Sequence, residues 1–338
     1  MNDSSRAAKT REVAPGVVEV FLPLPSKPSI INTWLLDCGD GSWALIDTGV
    51  ALAASRDAFG AALEERGLAP SQVRHLVGTH HHPDHFGASH AYQELTGARV
   101  HLHPLELERI EYSLAAGTEE MLRHGRRHGM PIPEGAAESA PRPRDVWAGS
   151  FEPTLRIDHS LADGEILELG RRRLRVVWTP GHTPGHCCLL ELGSGVLFVG
   201  DHLLPKITPH VGVYPTSPPN PLGDFLASQE KIAALENVTL VCPAHGPTFT
   251  DHRHRAHQLI AHHEHRLRTM VDSLQNGPKT GFEVAKDAFA WVFEDPVLNR
   301  FQVGAALMET LAHLDLLCAR GTARPDESDG VRRYSLVS

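Results

Sequence analysis

Residues 79–87 read THHHPDHFG, which places His80, His82, Asp84 and His85 within six consecutive positions. An apolar run over residues 73–77 leads in and stops at Gly78, and helical patterning over residues 84–95 leads out. Side chains alternate along a strand, so a strand end aims His80 and His82 the same way. Asp84 and His85 open the next helix and face a second point. Imidazole and carboxylate at this density suit zinc or another first-row cation with nitrogen and oxygen ligands.

Working outward, three further pieces stand at strand-to-loop junctions: TPGHTPGH (179–186) with His182 and His186, VGDH (199–202) with Asp201, and CPAHG (242–246) with His245. DTG at 47–49 supplies Asp47. Short β-rich runs cover residues 17–22, 30–36 and 42–46, an Ala-rich helix 51–66 ends at Gly67, and a strand follows at 98–102. Strands resume at 154–157, 166–169, 174–178, 188–192 and 196–199, followed by a helix at 222–235 and a strand at 239–242. Two successive groups of strands then helices predict an α/β fold with two sheets face to face and helices outside, rather than a doubly wound parallel sheet.

Residues 104–150 differ in character, with two amphipathic helical patterns and then a Pro/Gly/Ala-rich tract, and read as an insertion. Residues 251–274 read as one long polar helix dense in His and Arg, either a solvated face or a rim near the site that contacts an anionic part of the substrate. Residues 276–338 read as helix, helix and β-hairpin, a small winged-helix-like domain after a catalytic domain over residues 1–275.

The chain has 338 residues, 41% of them hydrophobic, which supports a large core and excludes disorder. Its net charge of −9 is the wrong sign for a surface that grips nucleic acid or anionic lipid. The tail carries more Asp and Glu than Lys and Arg, with Asp326, Glu327 and Asp329 at the would-be wing tip, so nucleic acid is not an expected partner. The tail is instead read as a structural cap or a homodimer contact. No apolar run approaches the ~18 residues of a membrane span and the first residues lack a signal-peptide core, so a soluble, cytoplasmic protein with no membrane partner is expected. Five cysteines without C-x-x-C spacing exclude a disulfide scaffold.

The five motifs, in their order, resemble the metallo-β-lactamase superfamily over residues 16–275. The resemblance implies a four-layer αβ/βα sandwich with two divalent metal ions, zinc foremost and iron or manganese as alternatives. His80, His82 and His182 would bind the first, Asp84, His85 and His245 the second, and Asp201 would bridge them. Asp47 would support the ligand loop by hydrogen bonding, and His186 would stand behind the ligands or in the pocket. Two cations sharing one water lower its pKa towards neutrality, which gives a bridging hydroxide that attacks a carbonyl or phosphorus; Asp84 would orient it.

Within the superfamily, TPGHTPGH and the bridging Gly-Asp resemble the glyoxalase II branch, although AHGPT replaces its HEY-type continuation and the basic glutathione-clamping run is absent. Lactone hydrolases place a tyrosine three residues after the bridging aspartate, where this chain has Leu204. Long members with a C-terminal module, the group around the human β-lactamase-like protein 2 endoribonuclease and polyketide-releasing thioesterases, are similar overall. The expected function is hydrolysis of a small-molecule acyl thioester or ester. The alternatives are a phosphodiesterase or endoribonuclease on single-stranded RNA, a lactone hydrolase, and a non-catalytic metal-binding sensor. His202, His210 and Tyr214, on the loop after Asp201, are candidate pocket residues. The insertion is read as a lid whose Leu105, Leu107, Ile110, Tyr112, Leu114 and Met121 suit an acyl chain or pack on the outer face.

Overall fold

The computed structural model describes residues 10–25, 27–115, 118–133, 135–136, 155–294, 300–327 and 329–337. Strand β3 (Ile30–Asp37) shows why the chain is layered: Ile31 and Leu35 are buried on one face, Trp34 and Leu36 on the other. A strand buried on both faces needs a layer on each side. It sits in a seven-stranded sheet in sequence order, β1 (Thr10–Ala14), β2 (Val17–Pro23), β3, β4 (Trp43–Ile46), β5 (Val73–Val77), β6 (Arg99–Leu102) and β7 (His159–Ser160). The second sheet has five strands ordered β12-β11-β10-β9-β8, built from β8 (Ile166–Leu169), β9 (Arg172–Trp178), β10 (Cys187–Glu191), β11 (Val196–Gly200) and β12 (Leu240–Pro243).

Three apolar clusters separate four layers. Trp34, Ile46, Val77, Leu174, Leu189 and Phe198 fill the space between the sheets. Phe59 of α1 (Ala53–Glu65) and Tyr92 of α3 (Ser89–Thr96) pack on the outer face of the first sheet. Phe225 of α6 (Pro221–Ala233) and Leu259 of α7 (His252–Leu274) cover the second. Both outer helices are capped: Asn220 accepts the Gly223 N–H at 3.2 Å and Asp251 the His254 N–H at 3.0 Å.

Some expectations need correction. The helix read over 84–95 is two helices, α2 (Pro83–Phe86) and α3, because the N–H groups of Thr48 and Gly49 take the His85 carbonyl at 2.6 and 3.1 Å. Strand β1 is additional, paired antiparallel with β2. Residue 154 lies outside the described residues, and 155–158 form no strand; β7 begins only at His159. The polar helix α7 is not wholly a solvated face, since His252 and His263 are buried.

Of the insertion, α4 (Pro104–Ala115) and α5 (Thr118–Arg127) are described, while its tract at 137–150 and the side chain of Leu114 lie outside the described residues. After α7, the chain forms a three-stranded sheet ordered β13-β15-β14, from β13 (Lys279–Thr280), β14 (Ala323–Asp326) and β15 (Arg333–Leu336). It carries α8 (Gly281–Ala288), α9 (Ala290–Glu294) and α10 (Arg300–Ala319). Leu307, Leu311 and Leu314 of α10 share one buried cluster with Val199 and Phe225. All five cysteines are free. No helix among the described residues is long and apolar enough to cross a membrane.

Candidate metal centre

The ligand turn leaves β5 at Gly78, where a Cβ would stand 2.7 Å from the Phe86 ring, so only glycine lets the turn pass. Asp47, in the left-handed region at φ 57°, braces this turn. It accepts the Thr79 N–H at 2.8 Å, and its Oδ2 lies 2.9 Å from both the Thr79 hydroxyl and His85 Nδ1. The Thr79 hydroxyl in turn lies 3.1 Å from His80 Nδ1.

These contacts select tautomers. His85 donates from Nδ1 to Asp47, His182 from Nδ1 to the His210 carbonyl at 2.6 Å, and His245 from Nδ1 to the Ile30 carbonyl at 3.3 Å. With His80 Nδ1 donating to Thr79, four rings keep Nδ1 occupied and turn Nε2 towards the site. Two of those nitrogens converge with His82 Nδ1: His80 Nε2 is 3.0 Å from His82 Nδ1 and 3.3 Å from His182 Nε2, and the latter two are 3.0 Å apart. The lone pairs of His80 Nε2 and His182 Nε2 face each other at 3.3 Å and repel, and a shared cation removes the repulsion. Nitrogens bound tetrahedrally to one zinc ion at ~2.0–2.1 Å are themselves ~3.3 Å apart, so the triangle fits.

A second group adjoins it. Asp84 Oδ2 lies 3.4 Å from His245 Nε2 and 3.9 Å from His85 Nε2. Asp201 stands between the groups, with Oδ1 3.4 Å from His85 Nε2 and 3.5 Å from His245 Nε2, and Oδ2 3.8 Å from His182 Nε2. His85 Nε2 and Asp201 Oδ1 are buried with no hydrogen-bond partner. Buried polar atoms of this kind call for a partner, and a cation meets both a lone pair and a carboxylate.

The electrostatics agree. Burial and the neighbouring imidazoles push His80 and His82 well below the ordinary histidine range, which keeps them neutral donors. Burial works against charge on Asp201, but His85, His245 and His182 outweigh it and hold its carboxyl far down. Burial likewise opposes charge on His85, yet Asp201, Asp84 and Asp47 raise it well above the usual range. The carboxylates thus draw positive charge to the point between the two groups.

All seven proposed ligands therefore converge, and Asp47 braces them. His186 is buried behind the His80 ring, with Nδ1 2.8 Å from the Thr179 hydroxyl and Nε2 unpartnered; it belongs to neither ligand group. His202 is fully buried between His186 and Phe225 and reaches no open face. His210 presents Nε2 to the Tyr214 hydroxyl at 3.1 Å, and its carbonyl, not its ring, holds His182. Ile110 packs into the core beneath the first sheet's outer face. Glu106 and Glu309 escaped the sequence reading: Glu106 braces the ligand turns from α4, and Glu309 of α10 lies 3.6 Å from His210 Nδ1. Only helical phase, placing Glu106 on a buried face, signalled either.

The family profile described as Metallo-beta-lactamase superfamily matches residues 26–245, well over half of the chain. The crystal structure of a metallo-beta-lactamase family protein, TTHA1429 from Thermus thermophilus, superposes with a TM-score of 0.81 at 34% identity, covering 96% of this chain and 100% of that one. A probable metallo-hydrolase YqjP of Bacillus subtilis is 24% identical over 89% of this chain and 92% of its own length. The human acyl-coenzyme A thioesterase MBLAC2 is 27% identical over 64% of this chain and 74% of its own. With its fold, its ordered motifs and its convergent His and Asp side chains, this chain belongs to the metallo-beta-lactamase superfamily.

Proposed function

We propose that this chain is a dinuclear metal-dependent hydrolase of small-molecule acyl thioesters or esters. The observation that carries the reading is the placing of Asp201 between two ligand groups, with one oxygen turned to each. His80, His82 and His182 would hold one cation, Asp84, His85 and His245 the other, and Asp201 both. Divalent cations bound there, zinc foremost with iron or manganese as alternatives, supply Lewis-acid polarisation of the acyl carbonyl and acidify water.

The chain's own residues do the rest. Asp47 and the His210 carbonyl hold the imidazole tautomers. Asp84, about one-third exposed, turns Oδ2 to His245 and is left with Oδ1 to take a proton from the attacking water. A thiolate with a pKa of ~8.5 leaves without a general acid, which favours thioesters at a site where no other acid is assigned. The human acyl-coenzyme A thioesterase among the relatives supports the same substrate class. A cytoplasmic setting belongs to this reading, supported by five free cysteines. The C-terminal segment is proposed as a winged-helix-like cap, supported by its order of strand, helices and two further strands.

The test is one assay series on metal-replete protein: acyl thioesters, simple esters, lactones, bis-p-nitrophenyl phosphate and a short RNA. Thioesters should turn over fastest. Rapid RNA cleavage with thioester silence would overturn the substrate class, and bound metal without any turnover would favour a sensor. Elemental analysis of freshly purified protein identifies the metal.

A further inference from the structure

Arg109 lies on the α4 face that carries Glu106, one turn further on. Its Nη1 donates to the Thr216 carbonyl at 3.2 Å and to the Thr216 hydroxyl, and its guanidinium carbon stands 5.0 Å from the Tyr112 ring centroid. Among the described residues no carboxylate pairs with it, and its Nε and Nη2 donate to nothing. The acid whose charge reaches it, Glu106, is already committed to His81 and Gly185. Arg255 shows the contrast: its Nε and Nη2 donate to the carbonyls of Leu204 and Ile207.

The location is as telling as the missing partner. Thr216 follows Tyr214, whose hydroxyl meets His210 Nε2, and the His210 carbonyl holds the metal-facing His182. Arg109 thus leans on the loop that fixes one ligand, while Glu106 on the same helix fixes the turns that carry the others. A half-buried guanidinium without a counter-ion has lost hydration that only an anion restores in full, and its free Nε–Nη2 edge matches two oxygens of one anionic group.

We propose that Arg109 is an anion-binding subsite beside the metal centre, gripping a carboxylate or phosphate of the substrate side-on through Nε and Nη2. This deepens the hydrolase reading above and rests on it. A carboxylate would sit on the acyl chain, a phosphate on the thiol carrier.

Three substrates separate the sources: a succinyl thioester of N-acetylcysteamine, charged only on the acyl part; butyryl-coenzyme A, charged only on the carrier; and butyryl-N-acetylcysteamine, uncharged. In Arg109→Gln, kcat/KM should fall by ~10- to 100-fold for whichever anionic substrate is gripped, with the uncharged one within about twofold and Arg109→Lys intermediate. Loss on the succinyl arm assigns the acyl carboxylate, and loss on the coenzyme A arm the carrier phosphate. Equal loss on all three arms, or on none, overturns the proposal. If wild-type protein turns over none of them, the thioesterase reading fails and the subsite is judged by binding alone. A Tm rise with succinate or inorganic phosphate that Arg109→Gln abolishes then supports it, and a rise unchanged by the substitution, or no rise, overturns it.

Discussion

Glu106 and His81 are locked together behind the candidate metal centre: Glu106 Oε2 accepts the His81 N–H at 2.7 Å and also faces His81 Nδ1. Its other oxygen accepts the Gly185 N–H at 2.5 Å. One fully buried carboxylate therefore ties the turn of His80 and His82 to the turn of His182. Burial opposes its charge, but the His81 ring and the His81 N–H hold the carboxyl below its ordinary range.

Glu106→Ala strands three donors in the interior and is expected to cost ~3–5 kcal/mol, with weaker metal retention because both turns loosen. Glu106→Gln keeps one acceptor and should cost less. Urea unfolding and metal content per chain check both; wild-type values for Glu106→Ala would show that α4 merely rests on the site.

Asp201→Ala and His82→Ala should each lose bound metal and nearly all turnover, and exhaustive chelation of the wild type should do the same while lowering Tm, since ligands that bind only the fold stabilise it by mass action. Asp47→Ala deletes no ligand but frees the His85 tautomer and the Thr79 brace, so metal affinity should fall less, by ~10- to 100-fold. Elemental analysis alongside the assay ranks the variants. Full turnover after chelation would remove the metal reading.

His263 Nδ1 lies 3.1 Å from His313 Nε2, and His313 Nδ1 donates to the Glu309 carbonyl at 2.8 Å, which pins α10 to α7. Burial, with the facing imidazole, pushes His263 down to about 3, and burial pushes His313 down to about 4 against the pull of Glu309. Both titrate near ~6.5 once unfolded. The unfolded chain then binds the extra protons as pH falls, so their contribution is complete above ~6.5 and declines down to about 4 for His313 and about 3 for His263. At about pH 5 each ring should weaken the fold by up to ~2 kcal/mol. Urea midpoints at about pH 7 and about pH 5 should diverge, and the divergence should shrink in the His263→Gln, His313→Gln double variant. An unchanged pH slope would exclude the pair.

Deleting residues 276–338 removes Leu307, Leu311 and Leu314 from the cluster that buries Leu259, Leu267 and Met270, and takes away the Met308 carbonyl that accepts the Val213 N–H at 3.0 Å. An exposed apolar face of that size favours aggregation. The shortened chain is expected in the insoluble fraction. A monomeric, metal-loaded fragment on size exclusion would show that the tail is dispensable.

The layered fold was legible because alternation and helical phase are local: residues 17–22, 30–36 and 73–77 needed no distant information to read as strands. The donors were legible for the same reason, since THHHPDHFG carries four of them in one turn. The break after Phe86 was not, because it comes from Thr48 and Gly49 reaching across to the His85 carbonyl. Nor was Glu106, whose partners at 81 and 185 become neighbours only when two turns and a helix pack together. His202 looked like a pocket residue by position along the chain, and its burial against Phe225 follows from the packing of α6.

By itself the sequence determined which side chains could face a cation, with Asp84 and His85 opening a helix and the rest following strands, because residue type and period are written locally. The tertiary structure alone decided which nitrogen of His85, His182 and His245 faces the site, since that depends on what the other nitrogen meets: Asp47, a carbonyl at 210 or a carbonyl at 30, each brought in from a distant segment.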